Sequence, residues 1–167
     1  MITLVLGGVR SGKSELAERL AGRRGPVTYV ATGPTGAGMD ERIAAHRVRR
    51  PADWATVEVA GAALVDVIVS ASAGTLLVDS LGTWVAGHAD LVVHSAALVN
   101  ALTACAADVV LVSDEVGLSV HPETALGRRF QDVLGSLNRS VAAVADRAVL
   151  VVAGRIVELG PSIEDAG

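Results

Sequence analysis

The 167-residue sequence predicts an α/β fold in which a mostly parallel sheet is flanked by helices. Short apolar runs rich in Val, Leu and Ile recur along the chain, and longer segments with helical spacing lie between them. That alternation is the signature of parallel strands buried on both faces. A glycine-rich turn joins the first run to the first helical segment, which fixes where the working edge of the sheet should be.

Taken in order, Ile2 to Leu6 is the first expected strand and Ser14 to Arg23 the first helix. Val27 to Ala31 is the second strand. Thr32 to Gly38 then holds three glycines and a proline in seven residues and can continue neither kind of element, so a loop is expected at the carboxyl edge. Met39 to Arg50 lacks glycine and proline and stops at Pro51, the pattern of a short helix. Helical spacing returns at Gly61 to Ser70, His94 to Ala106 and Thr124 to Ala145, with strands expected at Thr75 to Val78, Val109 to Val112 and Ala148 to Val152. Gly154 turns the chain so soon after the last of these that Arg155 to Leu159 should fold back as an antiparallel edge strand. Gly160 to Gly167 reads as a frayed tail.

Length and texture point to one domain spanning 1–167, with no repeat or linker that would divide it. A net charge of -4 gives no cationic face for a nucleic-acid backbone. Hydrophobic residues reach 51%, but Glu58, Asp66, Asp79 and Asp108 interrupt every apolar tract before it reaches the roughly 18 residues of a membrane span. The opening strand leaves no room for a cleavable leader, and the single Cys105 cannot build a disulfide framework, so a cytoplasmic protein is expected.

Gly7-Gly8-Val9-Arg10-Ser11-Gly12-Lys13-Ser14 fits G-x-x-x-x-G-K-[ST] in full, after a strand and at the start of a helix. Glycines let successive N–H groups point at phosphate oxygens, and the helix N-terminus adds positive potential. Lys13 is expected to bridge the outer phosphates and the Ser14 hydroxyl to ligate Mg²⁺. Asp79, at the end of a later strand, is the metal-side carboxylate, the competing role being a cap on the helix that follows. Asp114-Glu115 ends another strand at the same edge, where either carboxylate could contact metal or substrate.

On a helix, Arg42, His46, Arg49 and Arg50 share one face. Arginines around His46 disfavour the imidazolium, and the neutral imidazole is the nucleophilic form. From pattern alone, the commoner meaning of such a strip is a solvated basic face with an incidental histidine. His88, His94 and His121 have no companions at metal-ligand spacing, and Trp54 and Trp84 read as packing anchors.

Beyond the phosphate loop, Ala31-Thr32, Arg42 to Arg47, Arg50-Pro51, Trp54, Glu58, Leu77 to Ser80, Thr83-Trp84, Glu115 to Gly117, Pro122-Glu123, Gly127 to Phe130 and Leu137-Asn138 together resemble the bifunctional adenosylcobinamide kinase and adenosylcobinamide-phosphate guanylyltransferase family, often called the CobU family. The likeness runs from Ile2 to about Gly154. It departs at Asp114, where the family often has Asn, at His121, and at Gly87-His88.

The resemblance implies a RecA-like P-loop fold, a place in cobalamin biosynthesis and two reactions. A nucleoside triphosphate, ATP or GTP, phosphorylates the aminopropanol hydroxyl of adenosylcobinamide; GTP then guanylylates the enzyme with loss of pyrophosphate, and the GMP passes to adenosylcobinamide phosphate. It implies His46 as the guanylylated nucleophile and Gly7 to Ser14 as the triphosphate cradle. It further implies nucleotide contacts at Ala31, Thr32, Gly33, Arg47, Val48, Arg49, Arg50, Glu58 and Asp79, Mg²⁺ as cofactor, and a homotrimer. The readings that compete are a simple P-loop kinase for another small alcohol and a nucleotide-switched binding protein.

Overall fold

A computed structural model of the chain describes residues 1–33 and 51–161. Seven strands form one sheet: β1 (Ile2–Gly7), β2 (Val27–Ala31), β3 (Ala55–Glu58), β4 (Thr75–Asp79), β5 (Asp108–Asp114), β6 (Arg147–Val152) and β7 (Arg155–Leu159). Their spatial order is β3-β2-β4-β5-β1-β6-β7, parallel throughout except for the antiparallel pair β6 and β7. Among the described residues the α-helices are α1 (Lys13–Ala21), α2 (Ala63–Ser70), α3 (Leu81–Ala86), α4 (Ser95–Ala104) and α5 (Ala125–Ala142), with a 3-10 turn at Ala89–Leu91.

Alternation along the central strands divides the core in two. Leu4, Leu6, Leu76, Val78, Val109 and Leu111 face α2, α3, α4 and α5, where Leu64, Ile68, Trp84, Leu98, Leu102, Leu134 and Leu137 complete a bulky layer. Val5, Leu77, Val110 and Val112 face α1, whose Ala17 and Ala21 have almost no side chain to interpose. That lets α1 lie close on the sheet and brings its first turn over the strand ends. Each fully buried Leu contributes about 1.5–3 kcal/mol through the water it no longer orders, so most of the stability lies on the α2–α5 face.

The expected elements that fall on described residues appear, most strands extended by one or two residues at their ends; the helix expected over Met39 to Arg50, most of the loop before it and most of the tail lie outside the described residues. Besides the 3-10 turn, two described elements have no counterpart in the sequence pattern. β3 pairs in parallel with β2, yet all four of its residues are exposed, so it carries no apolar alternation that would betray a strand. α3 has only six residues and is fixed by its cap. The Ser80 hydroxyl accepts from Thr83 N at 3.3 Å, and Thr83 Oγ1 accepts from Ser80 N at 3.1 Å. This reciprocal pair satisfies two otherwise orphaned donors, worth about 1 kcal/mol. Since Ser80 is the cap, Asp79 is not needed for that role.

Trp84 is 2% exposed and donates from Nε1 to Gly61 O at 2.8 Å, the anchor its type foretold. His88 packs edge-on against it with Nδ1 2.8 Å from Trp84 O, which ties the end of α3. No described helix is long and apolar enough to cross a membrane.

Candidate functional site

All five parallel strands from β3 to β1 end at one edge, and most of the expected site residues stand there. Gly7 closes β1, Ala31 closes β2, Glu58 closes β3, Asp79 closes β4 and Asp114 closes β5. Register places Ala31 beside both Glu58 and Asp79, and Gly7 beside Asp114.

The phosphate loop is shaped by backbone demands. A Cβ on Gly7 would lie 2.9 Å from Val151 O and would overlap the Ser11 hydroxyl, so β1 can turn beside β6 only with glycine here. Gly12 has φ 96°, a left-handed conformation that glycine adopts without strain, and it caps α1 with no side chain of its own. Gly12 therefore supplies no side-chain cap, and the N-terminus of α1 offers positive potential to an anion. Ser11 is buried and braces the turn: its Oγ accepts from Lys13 N at 3.3 Å, and its carbonyl accepts from Gly154 N at 2.9 Å. Gly8, Val9 and Arg10 are exposed at the mouth, and Ser14 is half-buried in the first turn of α1.

Lys13 is 5% exposed. Its ammonium donates to Gly8 O at 3.1 Å and lies 2.9 Å from Asp114 Oδ1. A lysine so buried near the loop needs such partners, because an unpaired ammonium would be costly to desolvate. The carboxylate pair at the end of β5 is thus divided by the fold. Asp114 turns to Lys13, whereas Glu115 folds back on its own loop, accepting from Gly117 N at 2.8 Å and Leu118 N at 2.9 Å. Arg128 Nη1 donates to Pro122 O and Glu123 O at 3.1 and 2.8 Å and holds the far end of that loop.

Asp79 lies on the α1 side of β4, the same side as Leu77, and Tyr29 OH donates to its Oδ2 at 3.1 Å. Tyr29 is 5% exposed, so the bond is formed under cover of the sheet. Thr32 is committed to the scaffold: its hydroxyl donates to Ser80 O at 2.6 Å and lies 2.7 Å from Thr83 Oγ1, and its N–H reaches Asp79 O at 3.4 Å. It fastens the end of β2 to the end of β4. Gly33 follows against Thr83. His46, Arg47, Val48, Arg49 and Arg50, with Arg42 and the helix expected over Met39 to Arg50, lie outside the described residues.

Two contacts were not legible beforehand. Tyr29 has the look of any buried strand residue, and nothing in its spacing to Asp79 marks a partner. In the sequence Asp114 is one of two adjacent carboxylates, and which of them meets Lys13 depends on the pairing of β1 with β5.

Among solved structures, a prototypical ATPase from the type III secretion system of pathogenic bacteria superposes with a TM-score of 0.53 at 12% identity over 89% of this chain. The P4 protein from bacteriophage phi6, in complex with ADP, matches with a TM-score of 0.46 at 17% identity over 93%. This chain spans about half the length of each, 50% and 52%. The former likeness supports the P-loop NTPase architecture and nothing beyond the fold.

Sequence comparison is more specific. The bifunctional adenosylcobalamin biosynthesis protein CobP of Pseudomonas aeruginosa is 42% identical over 163 residues, covering 92% of this chain and 94% of its own. The bifunctional adenosylcobalamin biosynthesis proteins CobU of Escherichia coli and Salmonella typhimurium are each 35% identical over 178 residues, covering 92% of this chain and 97% of theirs. Residues 3–159 match the family described as cobinamide kinase / cobinamide phosphate guanyltransferase. With a phosphate loop at the carboxyl edge of a parallel sheet and this match over nearly its whole length, the chain belongs to the cobinamide kinase / cobinamide phosphate guanyltransferase family.

Proposed function

We propose that this chain carries out both reactions of its family as a single nucleotide-binding domain. The observation that carries the reading is the phosphate loop itself, a glycine-capped α1 N-terminus with Lys13 bonded back to Gly8, at the same sheet edge where Glu58 and Asp79 end their strands.

In the guanylyl-transfer step, a ring nitrogen of His46 attacks the α-phosphorus of GTP. The bond to the β-phosphate oxygen breaks and pyrophosphate leaves, its charge met by Lys13 and the loop N–H groups. A phosphate oxygen of adenosylcobinamide phosphate then attacks the same phosphorus, the P–N bond breaks and His46 is restored. In the kinase step, the aminopropanol hydroxyl attacks the γ-phosphorus of ATP or GTP and the nucleoside diphosphate departs. Arg47, Val48, Arg49, Arg50, Ala31, Thr32, Gly33 and Glu58 supply further nucleotide contacts, Thr32 while its hydroxyl holds β2 to β4.

Ser14 and Asp79 are hard oxygen donors of the kind Mg²⁺ takes, one hydroxyl and one carboxylate with phosphates completing the shell. Among the described residues, no cluster of three or more His, Cys, Asp or Glu side chains offers a competing all-protein cage. Bound there, the ion would neutralise phosphate charge as it develops. The cytoplasm and a homotrimer are the setting we expect, the latter measurable by light scattering.

The test is to incubate the protein with Mg²⁺ and GTP labelled at the α or the γ phosphate, denature it, and follow the label. Retention of α label alone, lost on adding adenosylcobinamide phosphate, is the expected result. A folded protein that phosphorylates adenosylcobinamide but never retains α label would instead be a simple kinase.

A further inference from the structure

The ion pair between Lys13 and Asp114 places a negative charge where outer phosphates must arrive. Lys13 is 6% exposed in its side chain and Asp114 33%, so the cation lies inside and the carboxylate faces the mouth. An ammonium has three donors. One meets Gly8 O at 3.1 Å and one meets Asp114 Oδ1 at 2.9 Å, which leaves a third for a phosphate oxygen. Lys13 can therefore accept a phosphate without releasing Asp114.

The surroundings keep the aspartate in place. Its backbone is paired with Gly7, and its carbonyl accepts from Asn138 Nδ2 at 2.9 Å. Asn138 is oriented in turn by the Ser113 hydroxyl, which donates to its Oδ1 at 2.6 Å. On the far side stands Gly82 of α3, where a Cβ would come 3.4 Å from Asp114 Cγ and overlap Oδ2. The carboxylate occupies the room that a missing side chain leaves.

With Asp114 in contact, the charge of Lys13 is largely cancelled, and an incoming triphosphate meets a like charge at short range. A divalent cation on the phosphates cancels two of their negative charges and weakens that repulsion. We propose that Asp114 is a positioning and selectivity residue of the nucleotide site: it aims Lys13 and disfavours a bare triphosphate relative to its magnesium complex. The proposal rests on the reading of Gly7 to Ser14 as the GTP site.

Asp114→Asn keeps an oxygen that can accept from Lys13 and removes the charge. Affinity is measured by calorimetry for a GTP analogue with a methylene bridge between the α and β phosphorus, which cannot be cleaved there, once with Mg²⁺ and once with EDTA. Metal-free affinity should rise about tenfold in the variant, while the magnesium complex changes by less than about threefold, so the dependence on Mg²⁺ shrinks. A shared loss in both conditions, as misfolding would give, or no change in either, overturns the proposal. Asp114→Ala lacks both charge and acceptor; its rate of self-guanylylation should fall about tenfold below that of Asp114→Asn because Lys13 is no longer aimed. Equal rates would overturn the positioning part. If the wild-type protein bound the analogue in neither condition, the GTP reading itself would fail and this proposal with it.

Discussion

β5 begins and ends with an aspartate beside a cation. At its amino end, Asp108 Oδ1 is 2.9 Å from the Met1 ammonium and Oδ2 is 3.7 Å from Arg24 Nη1. At its carboxyl end, Asp114 Oδ1 is 2.9 Å from Lys13 Nζ. The distances are alike and the surroundings are not. Met1 and Arg24 are 39% and 24% exposed, so water screens their attraction to Asp108; Lys13 is 6% exposed and sits beneath a loop of glycines. One pair fastens the foot of the sheet. The other controls a charge that nucleotide chemistry requires, which teaches that location in the sheet, rather than the geometry of an ion pair, decides what it is for.

The largest effect is expected at the carboxyl end. Lys13→Ala should lower both guanylylation and phosphorylation by about 10²-fold or more, since each needs the outer phosphates gripped as charge develops. Steady-state assays of the two half-reactions measure this, and loss of one alone would mean that the reactions do not share the loop. At the amino end, Asp108→Asn should cost no more than about 1 kcal/mol of stability, the usual range for exposed pairs, and leave GTP affinity unchanged. Chemical denaturation and calorimetry together read both quantities.

A third pair sharpens the contrast at the β6–β7 edge. Arg147 Nε donates to Glu158 Oε2 at 3.1 Å, and this hydrogen bond holds the Glu158 carboxyl below its ordinary value of 4.5 while raising Arg147. A carboxylate whose folded pKa is depressed stabilises above its unfolded pKa and loses that contribution as pH falls through the folded one. The small difference in melting temperature between wild type and Glu158→Gln should therefore be present at neutral pH and fade below 4.5. A difference that persisted in acid would assign the effect to packing.

How much could be read in advance follows from how local each feature is. The phosphate loop is a contiguous signature between a strand and a helix, and Gly7, Gly12 and Lys13 stand where that logic requires. Buried strands β1, β2, β4 and β5 announced themselves by apolar runs. β3 did not, because an edge strand with four exposed residues leaves no such trace. The Lys13–Asp114 and Tyr29–Asp79 contacts join positions far apart in sequence, and only strand order brings them together. Thr32 is marked by resemblance as a nucleotide contact, and the bonds of its hydroxyl to Ser80 and Thr83 are a second, structural role that no local pattern announces.

The most direct test of the central claim is the mass of the intact protein after incubation with Mg²⁺ and GTP, wild type against His46→Ala. A gain of one GMP on the wild type, absent from a folded His46→Ala variant that still binds the nucleotide analogue, is the predicted result. A GMP adduct of equal amount on both proteins would contradict His46 as the nucleophile.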